Sequence, residues 1–224
     1  MRQLTCLSVS NNNIGNEGFK FICEMKQLTY LDVGRNDINS KGLNHITNLD
    51  KLKDLRIYYN SVGDGAKYIS EMKQLTNLNV NTACINEKGA KFISELPLVT
   101  NLNISFNEIG NQGLEHISRM KQLTHLNIQS NNIDDTGVYF LHGLDQLTTL
   151  DISKHIIGEK GTKLLSEMEQ LTHLDISECC IQYEGVKHIS EMKNLTYPNI
   201  CLNCFGKGGA KCLCEMKNLI KLYK

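Results

Sequence analysis

The segment "MKQLTYLDVGRNDINSKGL" (residues 25–43) decides how this chain folds, because much of it returns twice. Residues 72–90 read "MKQLTNLNVNTACINEKGA" and residues 120–138 read "MKQLTHLNIQSNNIDDTGV". A catalytic site needs one copy of its residues, whereas a segment that recurs along the chain specifies a repeating shape. The period is 24 residues, with one shorter copy of 23, and repeats 1 to 9 begin at Met1, Met25, Leu49, Met72, Leu96, Met120, Leu144, Met168 and Met192, with a partial tenth from Met216.

The first half of each repeat predicts a short β-strand with one buried face. Leu31 and Val33 alternate with Tyr30, Asp32 and Gly34, which is the period of two that a strand produces. One strand per repeat, stacked on the next, builds a parallel sheet. The outward residues of successive strands then form continuous columns about 4.8 Å apart.

An asparagine is expected to end each strand, because its amide both donates and accepts hydrogen bonds in a turn that water does not reach. This residue is Asn36 in repeat 2 and recurs as Asn12, Asn60, Asn107, Asn131 and Asn203. Ala83, His155 and Cys179 take its place in three repeats and are expected to break the row.

The second half of each repeat predicts a short helix, with residues such as Asn111 and Asp135 as N-caps. A glycine recurs in every copy, which indicates either a left-handed backbone dihedral or a close approach between neighbouring repeats. These glycines are Gly18, Gly42, Gly65, Gly89, Gly113, Gly137, Gly161, Gly185 and Gly209.

The spacing L-x-x-L-x-L-x-x-N-x-I, carried in repeat 2 by Leu28, Leu31, Val33, Asn36 and Ile38, resembles the leucine-rich repeat. The segment "NNIGNEG" at 12–18 is similar to GALA-type repeats, with a broader similarity to ribonuclease inhibitor. The resemblance implies an α/β fold formed by a single leucine-rich-repeat domain over residues 1–224. It would be a solenoid, or horseshoe, with parallel β-strands on the concave face and short α-helices on the convex face.

Composition argues against several classes of partner. The formal net charge is +0, from 24 basic and 24 acidic residues, so no nucleic acid or anionic membrane surface is expected to bind. No apolar stretch approaches the ~20 residues of a membrane span. Nine cysteines without a secretory signal favour reduced thiols and a cytoplasmic location. Phosphate loops, dinucleotide-binding motifs and hydrolase motifs are absent, so we expect no cofactor and no enzyme.

Two groups of residues on the predicted concave face are candidate partner-binding sites. The N-terminal cluster comprises Tyr30, Asp32, Arg35, Asp54, Arg56, Tyr58 and Tyr59, and Tyr and Arg are enriched at binding hot spots. The C-terminal cluster comprises His125, Asp151, His173 and Asp175. Its two histidines are two strands apart, ~10 Å, which is too far to share one metal ion and favours a polar patch within an interface.

Four cysteines follow a metal-like spacing near the C-terminus, namely Cys201, Cys204, Cys212 and Cys214. The repeat places Cys201 on the strand side and the last two on the helix side. We therefore expect them to fill space as small apolar residues and predict no metal site.

The sequence predicts a protein–protein interaction module that binds a protein partner through its concave face. The alternative is a regulatory subunit, either a substrate receptor of an F-box-type ubiquitin ligase or a modulator of a GTPase or hydrolase. The first and last strands are expected to expose sheet edges, which would permit end-to-end self-association.

Overall fold

The computed structural model describes residues 3–216 and residue 220. In this part, nine parallel strands of three residues each form one sheet in chain order, every strand pairing with the next. They are β1 Cys6–Ser8, β2 Tyr30–Asp32, β3 Asp54–Arg56, β4 Asn77–Asn79, β5 Asn101–Asn103, β6 His125–Asn127, β7 Thr149–Asp151, β8 His173–Asp175 and β9 Tyr197–Asn199. Apart from Met216 and Ile220, the predicted tenth repeat lies outside the described residues.

Each strand is followed by a turn and a helical segment on the opposite side of the repeat, as predicted for a leucine-rich-repeat solenoid. The α-helices are α1 Gly15–Ile22, α2 Ala66–Ile69, α3 Glu87–Ile93, α4 Gly110–Ile117, α5 Asp135–Phe140, α6 Glu159–Ser166, α7 Tyr183–Ser190 and α8 Gly206–Cys214. Repeat 2 differs, because Gly42–Asn48 forms a 3-10 helix.

The core is a continuous apolar column between the sheet and the helices. Leu31 pairs with Leu55 of the next strand, and both side chains are fully buried. Full burial of one such side chain stabilises the fold by about 1.5–3 kcal/mol. Because each repeat covers its neighbour, this stability belongs to the array rather than to one repeat.

The asparagine row forms the predicted ladder. The side-chain nitrogen of Asn36 donates to the carbonyls of Val9, Val33 and Gly34, at 2.8–3.1 Å. Its side-chain oxygen accepts from the backbone N–H of Asn12 at 2.8 Å. The ladder therefore joins the turns of neighbouring repeats.

The expectation that His155 breaks this row was wrong. Its Nδ1 accepts from the Ile133 amide at 3.2 Å, and its Nε2 lies 2.9 Å from the Ile128 carbonyl oxygen. The two ring nitrogens thus replace the oxygen and nitrogen of an asparagine amide. Cys179 replaces only the hydrogen-bond donor of the asparagine side chain, with its sulfur 3.3 Å from the Ile152 carbonyl oxygen.

The recurrent glycine is required by close approach and not by a left-handed dihedral. A Cβ on Gly65 would lie 2.6 Å from a methyl group of Leu43 and 3.0 Å from the Ser40 Cα, both in the preceding repeat. The prediction that Asn111 and Asp135 are N-caps was wrong, because both lie inside their helices. Asp135 instead accepts a hydrogen bond from the Gly158 backbone N–H of the next repeat at 2.7 Å.

The turn into each helical segment alternates in residue type along the chain, although Gly158 has the extended backbone of the even repeats (φ −85°) and not the positive φ of the other odd-repeat glycines. The turn residue is glycine in odd repeats and polar in even ones, reading Gly15, Asn39, Gly63, Asn86, Gly110, Asp134, Gly158, Gln182 and Gly206. Isolated parallel bridges join even repeats to the following odd ones, at Asn39 to Ser61, Asn86 to Glu108 and Asp134 to Ile156. The structural unit of this turn is therefore a pair of repeats, which the 24-residue period alone does not reveal.

Candidate functional site

The outward side chains of the sheet form two columns with different environments. The first column contains Tyr30, Asp54, His125 and His173, which begin their strands. The second column contains the residues that end the same strands, such as Asp32 in β2 and Asp175 in β8. In the second column, side-chain oxygens repeatedly accept a hydrogen bond from the backbone N–H two residues on. This occurs at Asp32, Asn79, Asn103, Asn127, Asp151, Asp175 and Asn199.

In the N-terminal cluster, one guanidinium group joins two neighbouring strands. The Arg56 guanidinium carbon lies 5.2 Å from the centre of the Tyr30 ring, and its Nε lies 3.4 Å from Asp54 Oδ1. Burial raises the pKa of the Tyr30 phenol, and the nearby carboxylates of Asp32 and Asp54 raise it further, while Arg56 opposes them. Tyr30 is therefore a neutral hydrogen-bond donor at neutral pH.

The second half of this cluster lies where the strands end. The Arg35 guanidinium carbon lies 4.3 Å from the centre of the Tyr59 ring, and the Tyr58 and Tyr59 rings meet edge to face, 6.3 Å apart at 84°. Gly34 makes room for this arrangement, because the Tyr58 ring occupies the space that a Cβ at position 34 would need. Two arginines thus hold aromatic rings in place at the surface.

Asp32 was grouped with these residues by sequence, but its environment differs. It is only 8% exposed, and its Oδ1 accepts from the Gly34 amide at 3.0 Å. Its carboxylate stabilises the end of β2 and offers little surface to a partner.

The carboxylates of the C-terminal cluster are also hydrogen-bonded within the fold. Asp175 accepts from the amide and hydroxyl of Ser177 at 2.9 and 2.6 Å, and from the Asn199 side chain at 2.6 Å. Asp151 makes the same contacts with Ser153 and Asn127, at 2.7–3.1 Å. Burial raises the pKa of Asp151, the hydrogen bonds from Ser153 oppose this effect, and Asp175 raises the pKa further.

The two histidines of this cluster are exposed, on β6 and β8, with β7 between them. His173 stacks on Tyr197 with ring centres 4.3 Å apart and planes 13° apart, and His125 Nδ1 lies 2.9 Å from the Thr124 hydroxyl. In residues 3–216 and residue 220, no group of three or more His, Cys, Asp or Glu side chains is arranged to hold a metal ion.

The four C-terminal cysteines are spread over one repeat. Cys201 and Cys204 follow β9, whereas Cys212 and Cys214 lie in α8, and all four are free thiols. Cys212 packs against the core, which agrees with the expected apolar role for that residue. Cys204 and Cys214 are exposed, so the space-filling role expected for them was wrong.

Sequence reasoning missed a second surface, along the turns that follow the strands. A groove of about 650 Å³, which we call the rim groove, lies between Tyr59 and Phe106 and is lined also by Thr82, Glu108 and Asn132. Tyr59 and Phe106 are 48% and 41% exposed. Tyr59 belongs to the predicted N-terminal cluster, whereas Phe106 was missed. Both occupy the same repeat position as Arg35, so extending the columns past the strand ends would have found Phe106.

Comparisons with known proteins agree with this architecture. Five segments match the family model described as "Leucine Rich repeat", at residues 2–23, 26–48, 96–118, 121–141 and 170–190. No curated protein matches the sequence. Within the described residues, no helix is both long and apolar enough to cross a membrane.

Solved structures share the fold at low sequence identity. Internalin C2 of Listeria monocytogenes is 19% identical, with a TM-score of 0.61 over 97% of this chain and 79% of that one. An internalin (InlF) of the same organism is 17% identical, with a TM-score of 0.53 over 98% and 86% of the two chains. A repeat protein of Leptospira interrogans is 20% identical, with a TM-score of 0.66 over 99% of this chain and 52% of that one.

Proposed function

We propose that this leucine-rich-repeat protein binds a protein partner through its concave face, with the N-terminal cluster at the centre of the contact. The observation that carries this proposal is the pair of arginine–ring contacts, Arg56 with Tyr30 and Arg35 with Tyr59. They present four aromatic or guanidinium groups at the surface in one fixed arrangement.

Such preorganisation favours binding because ordering side chains at an interface costs about 0.5–1.5 kcal/mol for each one immobilised. Here the rings of Tyr58 and Tyr59 already contact each other, and Gly34 sets the position of the Tyr58 ring. A partner that covers them therefore loses less conformational freedom than one that covers isolated side chains. Tyr and Arg are also the residue types that carry most binding free energy in interfaces.

The C-terminal cluster extends the proposed contact along the same face. His125 and His173 lie in the first outward column, as Tyr30 and Asp54 do, and both rings are exposed. Asp151 and Asp175 contribute through their position beside these rings and not as free anions, because their oxygens accept hydrogen bonds from the fold.

The test is affinity capture from the source cell, followed by titration of the partner that is identified. The triple variant Tyr30→Ala, Arg56→Ala, Tyr58→Ala should weaken binding at least ~100-fold, since each is a hot-spot residue type. The control variant Lys67→Ala, Lys163→Ala changes two exposed helix residues and should leave affinity unchanged. A loss of affinity confined to the lysine variant would place the contact on the convex face.

Several further proposals concern the whole protein and its class of function. We also propose that residues 1–224 are one domain, that the protein is cytoplasmic and that its repeats are of the GALA type. A ubiquitin-ligase adaptor that copurifies would favour the substrate-receptor alternative, and a changed rate in a partner GTPase or hydrolase would favour the modulator alternative. End-to-end self-association stays a prediction, which a concentration series by analytical ultracentrifugation would test.

A further inference from the structure

The rim groove has an equivalent two repeats further along the chain. A second groove of about 550 Å³ is lined by residues including Asn132, Lys154 and Ile156, and the first is lined by Cys84, Phe106 and Glu108 at the positions 48 residues earlier. The first groove spans repeats 3 to 6 and the second spans repeats 6 to 8, and each contains one of the isolated bridges between an even repeat and the following odd one. Grooves with equivalent lining residues are therefore two repeats apart along this edge.

The distance between the grooves follows from the backbone. Parallel hydrogen bonds continue through the column that forms their walls, from Tyr59 N to Asn81 O, from Thr82 N to Ser105 O and from Phe106 N to Gln129 O, at 2.8–3.0 Å. The repeats are thus about 4.8 Å apart here, as in the sheet, and two repeats span about 9.6 Å.

That spacing matches one peptide conformation. A polyproline II helix has three residues per turn and a rise of ~3.1 Å per residue, so it presents the same side every ~9.3 Å. An extended strand presents the same side every ~6.7 Å. An α-helix does so every ~5.4 Å and is ~10–12 Å wide with its side chains.

The chemistry of the rim groove also suits a proline-rich peptide. Aromatic-lined grooves are the surfaces that recognise such segments, and the Tyr59 and Phe106 rings form the walls here, with the smaller Thr82 between them. A polyproline II backbone makes no internal hydrogen bonds, so its carbonyls can accept from the Tyr59 hydroxyl and the Asn132 side chain. Among the described residues that line this groove, Glu108 carries the only formal charge, which favours a basic ligand residue beside Glu108. The Arg35 guanidinium over Tyr59 and the Lys154 ammonium, 5.4 Å from the centre of the Phe106 ring, would repel a basic residue placed against either ring.

We propose that the rim groove binds a proline-rich segment of a partner protein in the polyproline II conformation, running along the solenoid, with a lysine or arginine opposite Glu108. This surface is additional to the proposed concave contact, and the two share Tyr59. The backbone of the walls has φ angles of +51°, +49° and +52° at Tyr59, Thr82 and Phe106, and the N–H group of each bonds to the next repeat.

The test is a titration by fluorescence anisotropy with a labelled seven-residue probe of six prolines and one lysine. The matched probe replaces the prolines with alternating glycine and serine and keeps the lysine. We expect saturable binding of the proline probe, at least ~10-fold tighter than that of the matched probe. Equal affinity for both probes, no binding of the proline probe, or preferential binding of a helical EAAAK-repeat peptide would overturn the proposal.

The variants use residues that tolerate the left-handed backbone. Phe106→Asn should weaken binding of the proline probe at least ~10-fold, since asparagine accepts a positive φ but removes the ring. Leu202→Asn is the control, because Leu202 has the same repeat position and a φ of +55° but lies four repeats further on. Equal losses in both variants would contradict a site at the rim groove, and thermal melts would show whether each variant is folded.

Glu108→Gln tests the charge. It should weaken binding of the lysine-bearing probe about 3-fold at low salt and leave an all-proline probe unaffected. The concave variants Tyr30→Ala and Arg56→Ala should bind the probe normally. Loss of probe binding in those variants would contradict a separate groove, whereas loss of the captured partner alone would concern only the concave contact.

Discussion

The two clusters on the concave face use similar residue types in opposite ways. In the N-terminal cluster, Arg56 contacts the side chains of Tyr30 and Asp54 at the surface. In the C-terminal cluster, Asp175 receives three hydrogen bonds from the turn of its own repeat and from its neighbour. The first cluster is arranged for contact with a partner, and the carboxylates of the second stabilise the strand ends.

The difference comes from a shift of two residues along a strand. Asp54 begins β3, whereas Asp175 ends β8, next to backbone N–H groups that need an acceptor. An acidic residue at the start of a strand is therefore available to a ligand, and one at its end is held by the fold. Polar residues on a repeat surface must be assigned by position in the repeat before they are called binding residues.

The largest effect should be on stability. Asp175→Ala removes the acceptor for Ser177 and Asn199 and should lower the free energy of unfolding by about 2 kcal/mol, because unsatisfied buried donors cost about 1–3 kcal/mol. Asp54→Ala removes an ion pair that is partly exposed, at 20% for the Asp54 side chain and 47% for that of Arg56, and should cost less than about 1 kcal/mol. Urea denaturation followed by circular dichroism measures both. Equal losses would remove the distinction between the two aspartates.

The next effect should be on affinity for the captured partner. Tyr58→Ala should weaken binding about 10–100-fold, the range of hot-spot residues. His173→Ala should weaken it less than about 5-fold, because Tyr and Arg rather than His are the residue types enriched at interface hot spots. Calorimetric titration gives both affinities, and a larger loss at His173 would reverse the ranking of the two clusters.

The pH dependence of stability tests the histidine in the asparagine row. Burial lowers the pKa of His155, with an opposing effect from the Ile128 carbonyl. As the pH falls, the unfolded chain therefore takes up a proton at His155 before the folded chain does. The contribution of neutral His155 to the free energy of unfolding is complete above about pH 6.5 and is lost as the pH falls below that value. The free energy of unfolding cannot change by more than about 1.4 kcal/mol per pH unit because of this one group.

The matched variant is His155→Asn, which restores the residue found in most repeats. Its unfolding free energy at pH 8 should lie within about 1 kcal/mol of the wild type, and it should lose less stability between pH 6.5 and pH 5. Identical pH profiles for the two proteins would contradict a neutral, hydrogen-bonded His155.

The smallest effect on partner affinity should come from the contact of the Arg35 guanidinium with the Tyr59 ring. Arg35→Lys keeps the charge but loses the planar group over Tyr59, and should weaken partner binding about 2–5-fold. Lys20→Arg, on the exposed face of α1, is the control and should have no effect. A wild-type affinity for Arg35→Lys would show that charge alone, and not stacking, is needed.

The repeat period accounts for how much the sequence could predict. Leu31, Val33 and Asn36 recur at fixed positions, so the strands, their register and the hydrogen-bonding role of the asparagines followed directly. The hydrogen bonds of His155 could not be read from that period, because they depend on ring geometry within a buried turn. The two-repeat alternation was visible at Gly15 and Asn39 but required comparison of every second copy.

The site was predictable in part. The Tyr and Arg residues of the N-terminal cluster lie together, because neighbouring strands place Tyr30 beside Asp54. Contacts beyond the strands were harder to predict, since Arg35 and Tyr59 meet only because both have a left-handed backbone, with φ of +54° and +51°. Burial of Asp32 also could not be deduced from alternation alone, because the strand pattern makes it an outward residue.

Site-specific photo-cross-linking tests the central claim, that the N-terminal cluster on the concave face contacts the partner. A benzophenone side chain is placed at Tyr58 in one protein and at Phe21, which is 64% exposed on α1, in another. We expect the captured partner to cross-link from position 58 and not from position 21. Cross-linking from position 21 alone would contradict the central claim.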